Sequence, residues 1–116
     1  MNNSQAKRAI QKATGTEIKL SSWKCDDHYE GQAEAYANCE KVKYHTGYTK
    51  WTGDIVHTGE SWCSKTKSKA NRESLTSLAL NFGLEDIARK LQATAEKIQA
   101  AELYAYCGVT DLNDLN

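Results

Sequence analysis

The sequence predicts an α+β domain: an N-terminal helix, an antiparallel β-meander of four to five strands, and two C-terminal helices packed on one sheet face. Two patterns carry this. Apolar and polar residues alternate with period two through much of 16–57, then recur at i, i+3, i+4 and i+7 from Ser68 onward. The third observation is length. The chain has 116 residues and no internal repeat or low-complexity tract, which suits one domain over 1–116 with a core that needs no staples.

The first helix is capped by Asn3 or Ser4, carries Ala6, Ile10 and Ala13 at helical spacing, and stops at Gly15. It is short and weakly apolar, so it needs a sheet to rest on. Residues 16–23 alternate, with Ile18 and Leu20 facing inward. Cys25 to Gly31 reads as a polar loop. From Gln32 to Cys39 the inward face is Ala33, Ala35, Ala37 and Cys39, small residues that let a helix approach closely. The phase slips at Glu40–Lys41, where a bulge or turn is expected, and Val42 and Tyr44 then take the inner face. His45-Thr46-Gly47 predicts a hairpin turn between 42–44 and 48–51, and Thr52-Gly53-Asp54 a further turn. A short strand over 55–57 closes at Thr58-Gly59.

Ser68 is the expected cap of the next helix, whose stripe is Leu75, Leu78, Ala79 and Phe82, with Gly83 as its stop. The last helix carries Leu84, Ile87, Ala88, Leu91, Ala95, Ile98, Ala101 and Ala105 on one side and ends at Gly108. At 1.5 Å per residue it is roughly 35 Å long, longer than a small sheet, so Leu103, Tyr104 and Tyr106 are expected to project as an exposed partner surface. Residues 109–116 are expected to form a loose acidic tail. Leu75, Leu78, Ile87, Leu91 and Trp51 are the expected core between helices and sheet.

Apolar residues at 40% and charged residues at 26% are ordinary globular values. With no proline there is no polyproline docking segment. No run nears the ~18 apolar residues of a membrane span, and Met1–Ile10 lacks the apolar stretch of a signal peptide, so the expected location is the cytoplasm. The net charge is zero but segregated. Residues 1–24 and 61–72 each carry +4, and 25–60 and 73–116 each carry −4. Such blocks steer partners even when the total is neutral, although short clusters also arise as solvated faces.

The chemistry-bearing motifs are few. Cys25-x2-His28 and Cys39-x5-His45 offer four ligands near zinc-finger spacing but match no standard pattern. Disulfides are rare in the cytosol, and Cys39 on a small-residue face behaves as a hydrophobe. The expectation is therefore thiols, with no metal and no cofactor; Cys25, His28, Cys39 and His45 are the candidate ligands should an ion bind. No nucleophile elbow, phosphate loop or dinucleotide fingerprint is present, and Glu85-Asp86 is explained by the helix dipole. No catalytic residue is assigned. Phe82 to Leu91 resembles the opening of a helix-turn-helix, but the stripe continues without a turn and the last helix is acidic, wrong for a major groove.

Two resemblances bear on function. A helix, some three strands and a helix opening with Lys65, Lys67, Lys69 and Arg72 resemble a double-stranded RNA-binding domain, most specifically over 63–80, with Asp27-His28 where that family carries a loop histidine. The resemblance implies phosphate contacts from the lysine-rich helix N-terminus. Against it stand the absent Gly-Pro loop, the long meander and the zero net charge. Separately, Ser4-Gln5-Ala6-Lys7-Arg8 with Gly15-Thr16 resembles a segment of a small type I-F anti-CRISPR protein of phage origin. That resemblance implies an inhibitor docking on a nucleoprotein complex, with Lys7 and Arg8 at the contact. The expected function is a non-enzymatic inhibitor with a protein partner and no membrane; the alternative is direct binding of structured RNA or DNA.

Overall fold

In a computed structural model the chain is described over residues 1–106, with side chains described over 1–97 and at Ala100. The order is α1 (Asn3–Thr14), β1 (Glu17–Cys25), β2 (His28–Lys43), β3 (Thr49–Ser64), α2 (Lys67–Asn81) and α3 (Glu85–Tyr106). The strands form one antiparallel sheet in the order β1-β2-β3. The meander thus has three strands, not four to five. The segments expected as separate strands over 32–39 and 42–44 are continuous in β2, which ends at Lys43, and those over 48–51 and 55–57 are continuous in β3, which begins at Thr49.

The glycines explain the difference. Gly53 (φ 135°) lies inside β3 beside the register shift between Ala37 and Glu40, and Asn38 (φ 52°) sits within that shift. The bulge therefore absorbs an irregularity that reads as a turn in sequence, and it falls just before Glu40–Lys41 rather than on them. Gly59 does not end a strand either. A Cβ there would meet the Ser74 carbonyl and the Leu78 amide nitrogen, and would lie 2.9 Å from Leu78 Cα. The backbone of α2 rests directly on β3 at this point, which only glycine permits. The expected loop over 25–31 contracts to the Asp26-Asp27 turn, because Cys25 pairs with His28.

Ile18, Ala33, Ala35, Leu75, Leu78, Ala79, Ala88 and Leu91 join Ala6 and Ile10 in a single buried core. The small face of β2 is real at Ala33 and Ala35. Beyond them the bulges change the phase, and Ala37 and Cys39 are only half-buried. Val42 and Tyr44, expected inside, are exposed, because the β2–β3 hairpin runs past the helices into solvent. Trp51, also expected in the core, packs on Tyr36 at 5.6 Å with Lys41 4.6 Å above its ring. Tyr36 pairs with Glu17 on the sheet face away from the helices, since the neighbouring pair Ile18–Ala35 is the one in the core.

Helix boundaries follow their caps. Asn2, one residue earlier than expected, caps α1 in a reciprocal box with Gln5, and Gly15 (φ 69°) closes it. Ala6 and Ile10 are buried; Ala13 is exposed. Thr66 rather than Ser68 caps α2, its side chain accepting from Lys69 N at 3.1 Å. Gly83 (φ 75°) turns the chain into α3. That last helix packs on α2 and α1, a layer removed from the strands, instead of lying on the sheet face. No helix among the described residues is long and apolar enough to cross a membrane. The expected helix end at Gly108 and the tail at 109–116 lie outside the described residues.

Candidate nucleic-acid interface

Two contacts bring the starts of α1 and α2 to the end of the sheet that carries the β1–β2 turn. Ser64 of β3 pairs with Tyr29, next to that turn, and α2 begins three residues later. Asn3 Nδ2 of α1 donates to the Ser68 carbonyl of α2 at 3.1 Å. From this end α2 runs back along the sheet, where Asn81 Nδ2 reaches the Thr58 carbonyl at 2.6 Å and Phe82 meets His57 edge-on at 4.5 Å. The α1 helix runs the same way, since Gln11 Oε1 near its C-terminus accepts from Ile18 N at 3.1 Å, at the start of β1. Both helix dipoles therefore present their positive ends together.

The junction between β3 and α2 is fixed by Glu73. One carboxylate oxygen accepts from Ser61 Oγ at 2.7 Å and from Ser64 Oγ at 2.9 Å. The short Lys65-Thr66 connection is thus held between an anchored strand end and a capped helix. Neither α1 nor α2 has an acidic residue in its first turn. Lys65 and Lys67 are exposed, whereas Lys69 is half-buried with its Nζ 3.9 Å from Glu73. Cations at a positive helix end weaken that helix. A helix N-terminus favours anions through its dipole and its unpaired first N–H groups.

The other expected binding residues divide. Arg8 is exposed on α1 and Lys7 is half-buried. Arg72 is only 8% exposed and lines a crevice with Asn2, Asn3, Ser4, Ser68 and Thr94; it packs the helices together and is not a surface cation. The side chains of Leu103, Tyr104 and Tyr106 lie outside the described residues. The exposed large hydrophobics that sequence reasoning missed are Tyr48, Ile55, Val56, Trp23, Trp62 and Leu80. Tyr44 and Tyr48 stack at 5.9 Å at the hairpin tip.

The four expected metal ligands do not converge. Cys25 and His28 face each other across the β1–β2 turn. Cys39 lies eleven residues farther along β2, roughly 35 Å away at ~3.3 Å per residue, and His45 is in the distal turn. Glu30 joins Cys25 and His28 instead. His28 contacts Asp27 Oδ1 through Nδ1 and Glu30 Oε2 through Nε2, each at 3.2 Å. The hydrogen bond to Asp27, then that to Glu30, raises the His28 pKa above the ordinary imidazole range. The same imidazole holds Asp27 and Glu30 below theirs, Trp23 helping at Glu30. Cys25 is raised, first by desolvation and then by Glu30. His28 is therefore engaged on the open face, not free for a groove as the Asp27-His28 comparison implies. Strand alternation carries the signal for Glu30: residues 28 and 30 share a face.

No family model matches this chain, no curated protein is detectably similar to it, and no solved structure matches its fold.

Proposed function

We propose that the chain is a non-enzymatic binding module that grips the phosphate backbone of structured RNA with the end of the fold where α1 and α2 begin. The observation that carries this reading is the meeting of two helix N-termini without first-turn acids, one of them bearing Lys65, Lys67 and Lys69. The element order through α2, helix, three strands, helix, is also that of the double-stranded RNA-binding domain and supports the reading, although β2 and β3 run to 16 residues each. The acidic Asp26-Asp27 turn stands at the same end and limits the footprint to the helix side.

Three lysines and Arg8 neutralise about four phosphates. On duplex DNA each contributes about −0.9 to the slope of log K against log salt. Unaided affinity then falls in the non-specific range, about 10⁻⁴–10⁻⁶ M at physiological salt. The test is a salt titration against duplex RNA and duplex DNA for the native chain and a Lys65/Lys67/Lys69→Ala variant. The variant should lose about three phosphates' worth of DNA slope and at least tenfold in RNA affinity. An unchanged slope refutes the interface.

A second reading, docking on a nucleoprotein complex in the manner of phage-type inhibitors, is favoured by the exposed Val42, Tyr44, Tyr48, Ile55 and Val56 of the hairpin, since exposed aromatics serve as interface anchors. Binding to such a complex that depends on Tyr44 and Tyr48, and is indifferent to the three lysines, would favour it over direct RNA binding.

A further inference from the structure

We propose that Cys25, His28 and Glu30 form a site for a zinc-type divalent transition-metal ion on the open face of the sheet, at the β1–β2 turn. The proposal is independent of nucleic-acid binding. One ligand atom from each residue lies within 4.8 Å of the others. Metal–ligand bonds of about 2.0–2.3 Å in a tetrahedron require ligand atoms roughly 3.3–3.8 Å apart. The His28 Nε2–Glu30 Oε2 separation of 3.2 Å already fits that edge, and the thiol needs to move by no more than about 1.3 Å.

Backbone geometry builds the cluster. Cys25 pairs with His28 and Trp23 with Glu30 in the β1–β2 register, so all four side chains share one face. That face is opposite the core, because Gly31, the residue after Glu30, is the one that abuts Ala70 and Ser74 of α2. The outer contacts of the ligands are in place as well. Asp27 holds His28 Nδ1, which leaves Nε2 directed at the site, the carboxylate–histidine–metal arrangement. Trp23 Nε1 donates to Glu30 Oε1 at 3.1 Å, which leaves Oε2 directed at the site. A thiolate, an imidazole and one carboxylate suit zinc or cobalt and not magnesium or calcium, which prefer oxygen alone. Three protein ligands leave a fourth position for water.

The test uses the full-length chain, reduced and metal-free, titrated with cobalt(II) and then with zinc. Thiolate-to-cobalt charge-transfer absorption and intense visible bands of four-coordinate cobalt should appear at one equivalent and be displaced by zinc, while magnesium should do neither. Cys25→Ser should abolish the charge-transfer band, and His28→Gln should weaken binding at least tenfold; both variants should keep the native circular dichroism spectrum, since neither side chain is in the core. Asp27→Asn, which alters a positioning contact only, should cost about 10–100-fold in affinity. Cys39→Ser, Cys63→Ser and Cys107→Ser should each bind as the native chain does. Absence of the thiolate band in the native chain, or its persistence in Cys25→Ser, would overturn the proposal. If Cys25→Ser fails to fold, His28→Gln decides: unchanged cobalt affinity there overturns it equally.

Discussion

Gly59→Ala measures how closely α2 rides on the sheet. The added methyl group would meet two backbone groups of α2, the Ser74 carbonyl and the Leu78 amide, and would stand 2.9 Å from Leu78 Cα. Ordinary carbon–carbon contact is about 3.5–4.0 Å, so α2 must rise by roughly 0.6–1 Å. No rotamer change relieves this, because the obstacle is backbone. A gap of that size forfeits a quarter to a half of each dispersion contact across it, and Ala70, Leu75, Leu78 and Ala79 all make such contacts beneath α2. Overpacking costs about 1–3 kcal/mol, occasionally more, and a backbone-on-backbone clash belongs at the upper end, about 3 kcal/mol. The lower conformational entropy of unfolded alanine offsets roughly 0.5–1 kcal/mol of it. Against a total stability of about 5–15 kcal/mol the loss is large. Urea unfolding followed by far-ultraviolet circular dichroism should show a lowered midpoint at constant m-value. A change within about 0.5 kcal/mol, the range of surface substitutions, would show that α2 does not contact β3 at Gly59.

The remaining predictions concern core, cap, basic end and hairpin tip. Leu78→Ala should cost about 2–5 kcal/mol in the same unfolding assay, because Leu78 is fully buried. Asn2→Ala, which removes the α1 capping box, should cost about 1 kcal/mol. Lys67→Ala should weaken RNA binding yet stabilise the protein by about 0.3–1 kcal/mol, since it removes a cation from a positive helix end; lowered thermal stability would contradict the dipole argument. Tyr44→Ala with Tyr48→Ala should leave the melting midpoint of the body nearly unchanged, because both rings are exposed at the tip.

Much of the fold was legible because its elements are locally consistent. The Ala33–Ala35 alternation, the Leu75–Leu78–Ala79 stripe and the stops at Gly15 and Gly83 each state their own structure. What sequence left hidden turns on residues with two meanings. Glycine punctuates turns and also permits close approach; Gly53 and Gly59 look like turns in sequence, but the first sits at a bulge and the second under the α2 backbone. Trp51 looked like core because large aromatics usually are, but Tyr36 and Lys41 cover it on the opposite face. At the basic end the lysines were visible as a charge block; that Arg72 turns inward depends on where α1 and α3 lie, which no local pattern encodes. Glu30 was missed as a partner of Cys25 and His28 because the tight turn at Asp26-Asp27 sets the register, and a loop over 25–31 would scatter all three.

The hairpin that outruns the helices has a consequence for solubility and local opening. Among the described residues β1 pairs with β2 only as far as Tyr36, so from residue 37 onward β2 and β3 form a two-stranded ribbon with both edges unpaired by any described strand. Such edges invite strands of other molecules. Lys41 and Lys43 on one strand and Lys50 on the other make that pairing costly, and the kink at Asn38 and Gly53 turns the ribbon out of the plane a neighbour would need. A lone hairpin is at best marginally stable, so the arm should open on its own while the body stays folded. Its amides beyond Tyr36 should exchange with solvent at free energies well below that of global unfolding, whereas those of Ile18, Ala33 and Ala35 should exchange only when the whole domain unfolds.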